Sequence, residues 1–67
     1  MMTYDRNRNA ITVGSRVMIN GTGKTGTISS IHGENMSAQQ LRRSDVVELQ
    51  GLDGQYKPVE LIRLGMH

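Results

Sequence analysis

Residues 13–32, VGSRVMINGTGKTGTISSIH, decide the fold. Val17 and Ile19 alternate with Arg16, Met18 and Asn20, the period-two pattern of a half-buried strand. Ile11 and Val13 extend the odd-numbered set upstream, interrupted by a turn at Gly14-Ser15. Asn20-Gly21-Thr22-Gly23 follows, and Asn and Gly tolerate the positive φ that a tight reversal needs. Thr25 to Ile31 is rich in β-branched residues and reads as the returning strand. Gly26 and Ile28 share one face of it; Ile31 falls on the other unless an extra residue bulges out, so a bulge is expected.

The same stretch invites a competing reading. Gly23-Lys24-Thr25 matches the end of a phosphate-binding loop, G-x-x-x-x-G-K-[ST]. The first glycine of that loop would fall at position 18, which is Met. A helix must also follow, because its N-terminal amides cradle the phosphates. Here Gly26 to Ile31, GTISSI, is strand-like, and 67 residues leave no room for a parallel α/β sheet. Nucleotide hydrolysis is set aside on these grounds.

The length allows one domain, near the lower limit for folding unaided. With no cysteine there is neither a disulfide nor a thiolate metal site. The core must come from Val, Ile, Leu and Met alone, which leaves little room for a deep catalytic pocket. A net charge of +2 is compatible with nucleic acid without being diagnostic of it. No apolar run approaches a membrane span, and MMTYDRNRNA at the start is no hydrophobic signal segment. These features predict a soluble, cytoplasmic protein.

Outward from the hairpin, residues 1–10 lack periodicity and read as a flexible N-terminal arm. Its Arg6 and Arg8 are either simply solvated or a basic tail that touches phosphate. Residues 32–45 read as one long loop, in which Ser37 can cap a short helical turn over residues 38–41. Asp45 to Gln50 returns to strand, with Val47 and Leu49 inward and Val46, Glu48 and Gln50 outward. Gly51-Leu52-Asp53-Gly54 is a turn, and Gln55 to Lys57 begins a fourth strand that Pro58 ends. A tight turn at residues 59–61 and a last strand at residues 62–64 complete a single domain over residues 11–64, with a frayed tail at 65–67. The expected class is all-β, a small five-stranded barrel with structural turns at Gly21, Gly23, Gly26, Gly51 and Gly54.

Gly14, Val17, Ile19, Gly23, Lys24, Gly26 and Ile28 together resemble a KOW motif, an alternating strand, a basic glycine turn and then Gly-x-hydrophobic. Pro58 to Leu64, PVELIRL, similarly resembles the tight turn and closing strand of SH3-like barrels. The resemblance, over residues 13–31 and 58–64, implies an SH3-like barrel and a noncatalytic role. It also implies partners among RNA or the proteins of the ribosome and transcription machinery.

No catalytic constellation, cofactor site or metal site assembles from the residue types. His32 and Glu34 form at most a two-ligand pair, and the serines have no obvious base nearby in sequence. The candidate contacts are Arg16, Lys24, Arg42, Arg43 and Lys57, with Arg42, Arg43 and Lys24 converging on one rim. Such a rim would suit phosphate, which positions nucleic acid without reading its sequence; an ordinary mixed surface is the alternative, given Glu34, Asp45 and Asp53. Tyr4 and Tyr56 are the only aromatics, too few for an extended stacking platform or a proline-rich peptide groove. Met18 and Met36 would suit an adaptable protein contact. Two functions therefore remain: a small nonenzymatic module on RNA or DNA backbone, or a protein–protein adaptor or accessory subunit. The second would use an exposed strand edge or the long loop, with self-association as one form of it.

Overall fold

The computed structural model describes residues 1–65. In chain order these form strands β1 (Met2–Tyr4), β2 (Ala10–Thr12), β3 (Arg16–Ile19) and β4 (Thr25–Ile31) and helix α1 (Ala38–Arg42). Strand β5 (Val47–Leu49), a 3-10 turn (Pro58–Glu60) and strand β6 (Leu61–Arg63) follow. The class is all-β with one short helix. The strands form two antiparallel sheets, a β1-β2 hairpin and a four-stranded sheet in the order β5-β4-β3-β6.

The β3–β4 hairpin follows the sequence. Val17 and Ile19 are buried and Met18 is half-buried. Gly21 and Gly23 carry φ of 98° and 75°, and the Gly23 amide donates to the Ile19 carbonyl at 3.0 Å to close the reversal. A strand, not a helix, follows Thr25, so Lys24 belongs to a hairpin turn and not to a phosphate-binding loop. The expected bulge is present as a register shift between Ile28 and Ser30. It brings both Ile28 and Ile31 into the core, and the Ser29 hydroxyl donates to the Glu48 carbonyl across it.

Helix α1 is five residues long, too short to persist alone. Ser37 and Gln40 form a reciprocal capping box at its start. Leu41 holds it down by inserting into the core of Ile11, Val17, Ile19, Ile28, Ile31, Val46, Val47, Leu49 and Leu61. Gly33 makes room for this anchor: a Cβ there would overlap Leu41 Cδ1. Gly33→Ala is therefore expected to cost ~1–3 kcal/mol by overpacking. The change would appear as a lower urea midpoint at unchanged slope.

Several expectations are corrected. Residues 1–10 are not a loose arm: β1 pairs with β2 through Met2–Thr12, Thr3–Ile11 and Tyr4–Ala10. Ile11 and Val17 lie on separate strands in separate sheets, and Val13 between them is exposed because the chain turns away at Gly14. Val46 is buried, since it precedes β5 and leaves the alternation of that strand. Residues 55–57 contribute one bridge, Tyr56 to Val47, instead of a strand, and the 3-10 turn at Pro58 takes over directly. Gly26 is not a turn residue; it lies in β4 opposite Val17, where a Cβ would crowd Leu49 Cβ at 3.3 Å. Of the expected frayed tail only Gly65 is described; Met66 and His67 lie outside the described residues.

Among the described residues the barrel does not close, and the strands number six, not five. The reason lies at the outer edge of β6, where a further strand would have to pair. There the Arg6 amide donates to the Leu61 carbonyl at 2.8 Å, and the Arg63 amide donates to Asp5 Oδ2 at 2.6 Å. The turn of the β1–β2 hairpin thus satisfies an edge that a fifth barrel strand would otherwise cover.

Candidate functional site

The segment between β1 and β2 is Asp5-Arg6-Asn7-Arg8-Asn9, a reversal built around one carboxylate. Asp5 is fully buried. Its Oδ1 accepts from the amides of Asn7 and Asn9 at 2.9 and 2.7 Å, and its Oδ2 accepts from the Asn9 side chain as well as from Arg63. This is Asx-turn chemistry carried inward. Arg8 closes the turn in the left-handed region, φ 63°, with its amide donating to the Asp5 carbonyl.

That same carbonyl couples the turn to the helix. Arg42 Nε and Nη2 donate to it at 3.2 and 2.9 Å, and Nη2 also reaches the Arg6 carbonyl at 3.2 Å. Along α1 and its C-cap, Ala38, Gln39, Arg42 and Arg43 share one face, while Leu41 points into the core. On β1 the alternation sends Thr3 inward and Tyr4 outward. The result is an open cleft of about 420 Å³ lined by Tyr4, Arg8, Ala38, Gln39, Arg42 and Arg43. Among the described residues, no carboxylate lines it. Among the described residues, no side-chain hydrogen bond or ion pair engages Arg8 or Arg43, so both guanidiniums are free to take an anion.

The sequence candidates distribute unevenly. Arg42 and Arg43 meet in this cleft, but Lys24 does not join them; it stands exposed in the β3–β4 turn. Arg16 lines a separate hollow with Arg63, Ser15 and Thr12. Lys57 is engaged by Asp45 at 3.1 Å and Glu60 at 3.7 Å. Hydrogen bonding to Asp45 and the two negative charges raise its pKa above the ordinary lysine value. His32 pairs with Glu48 at 2.7 Å, not with Glu34. Gly51 and Gly54 occupy positive-φ positions in the turn after β5. Tyr4 enters the site although sequence reasoning assigned it to a loose arm, and Arg8 comes from the same segment. The signal for an ordered turn there was the Asp-x-Asn-x-Asn spacing of residues 5–9.

No helix among the described residues is long and apolar enough to cross a membrane. No solved structure matches the chain. Proteins described as "Putative selenoprotein YdfZ" from Escherichia coli strain K12, Escherichia coli O6:H1 and Shigella flexneri are each 57% identical to it over 67 residues, the whole of both chains. The YdfZ family model, described as YdfZ protein, matches residues 2–65. This overturns the KOW and SH3-like resemblance. Its matching positions were those of a glycine-turned hairpin, which the chemistry of tight reversals imposes on unrelated chains. Full-length similarity and the family match together make the chain a member of the YdfZ family.

Proposed function

We propose that this chain is a noncatalytic binding module that grips the phosphate backbone of nucleic acid through Arg8, Arg42 and Arg43. The supporting observation is the convergence of these three guanidiniums on one cleft whose lining, among the described residues, holds no acidic side chain. A guanidinium presents a planar fork of donors matched to phosphate oxygens. Arg42 is already fixed by the carbonyls of Asp5 and Arg6, so less side-chain freedom is lost when an anion docks beside it.

The relatives' printed name speaks of a selenoprotein. This chain has no cysteine, and no selenocysteine appears in its sequence, so it offers no thiol or selenol to carry selenium covalently. The residues present do not fit that chemistry, whereas the arginine cleft fits an oxyanion.

Fluorescence anisotropy with labelled RNA over a range of salt tests the proposal. Log affinity is expected to fall linearly with log salt, with a slope of roughly −0.7 for each phosphate contacted on a single strand. Arg43→Gln and Arg8→Gln are each expected to weaken binding alike for all sequences and to flatten the slope by about 0.7. Lys24→Gln, outside the cleft, is expected to change neither. Absence of binding at low ionic strength would overturn the reading.

A further inference from the structure

Resting on that reading, we propose that the cleft takes one unpaired base of a single strand against the Tyr4 ring, with the neighbouring phosphates held by Arg8 and Arg43. Tyr4 and Tyr56 are the chain's only side chains of the Phe, Tyr or Trp type. Tyr56 is committed: its ring packs on the core and its hydroxyl donates to the Asp53 carbonyl at 3.0 Å. Tyr4 is 43% exposed, and its hydroxyl makes no hydrogen bond among the described residues. Tyr4 lines the cleft with the arginines, so an uncommitted tyrosine face lies where phosphate binding would bring a nucleotide.

The geometry discriminates between strand types. A duplex offers phosphates on a convex surface and keeps its bases stacked on one another, so it can touch rim guanidiniums but brings nothing to the ring. A single strand can turn a base out, and every base has a face that an aromatic side chain can cover. The cleft, at about 420 Å³, lies in the range of small-ligand sites and suits one nucleotide better than a longer stacked run. Gln39 lines the same cleft from the first turn of α1, and its amide carries both a donor and an acceptor for a base edge.

The test uses the full chain and three labelled probes: a short oligothymidylate, the same strand made of abasic residues, and a duplex of equal length. The oligothymidylate is expected to bind roughly ten-fold more tightly than the abasic strand, the effect of one stacked base. Tyr4→Leu should abolish that difference while the salt slope stays unchanged, and Tyr4→Phe should retain it. Circular dichroism checks that both variants keep the fold, as an exposed position allows. Equal affinity for all three probes, with Arg43→Gln still weakening each, would overturn the stacking proposal and leave the backbone reading standing. Failure of all three probes to bind at low salt would overturn both.

Discussion

Asp5→Ala is expected to leave much of the chain unfolded at room temperature. The substitution removes the acceptor for the amides of Asn7, Asn9 and Arg63 at once, in a place without solvent access. Hydrogen bonds to a charged group contribute about 1.5–3 kcal/mol each, and stranded buried donors add to the loss. A total of about 3–5 kcal/mol is a large share of the ~3–10 kcal/mol available to a domain of this length. Asp5→Asn is the informative comparison. Each carboxylate oxygen accepts a backbone amide, so whichever way the new side chain turns, its NH2 faces a donor. Urea denaturation followed by circular dichroism should rank wild type above Asn and Asn above Ala. Equal midpoints for wild type and Ala would show that the turn does not hold the fold.

Leu41→Ala is expected to cost ~2–5 kcal/mol, the range for emptying a buried leucine site. The damage should be concentrated on the helix, because Leu41 is the only residue of α1 that is buried. Without it α1 keeps only polar ties, the capping box of Ser37 and Gln40 and the Arg42 bonds to the Asp5 and Arg6 carbonyls. Arg43 would then lose its position opposite Tyr4 and Arg8. Native-state hydrogen exchange provides the check, since the amides of Arg43 and Ser44 bond to the carbonyls of Gln40 and Leu41. Those amides should lose protection first, ahead of β3 and β4. Uniform loss across the chain would indicate that α1 is not an independent opening unit.

How much of this was readable in the sequence depends on which residues were asked to carry the signal. The β3–β4 hairpin was legible because its inward positions are apolar and its turn positions are Asn and Gly. Even the bulge could be foreseen, since Ile28 and Ile31 cannot otherwise share a face. The first hairpin escaped for the converse reason. Its inward positions before the turn are Thr3 and Asp5, while Met2 and Tyr4 face outward. Hydrophobic periodicity therefore reads β1 backwards, and the arrangement is held by the paired backbone, the Asp5 contacts and the burial of Ile11 on β2. Arg42 and Arg43 were legible as cations, but their companions Arg8 and Tyr4 arrive through packing of that hairpin on α1. Lys57 shows the opposite case: an apparent contact residue whose charge is already answered by Asp45 and Glu60.

The bond between the Arg63 amide and the Asp5 carboxylate joins positions near the two ends of the chain. The link spans 58 residues, so it cannot form until the strand that carries Arg63 is in place. During synthesis, the first hairpin emerges with its buried carboxylate still lacking the amide of Arg63. The native arrangement thus waits for β6 to be translated, and a chain terminated before it would leave the edge of β3 bare and open to other strands.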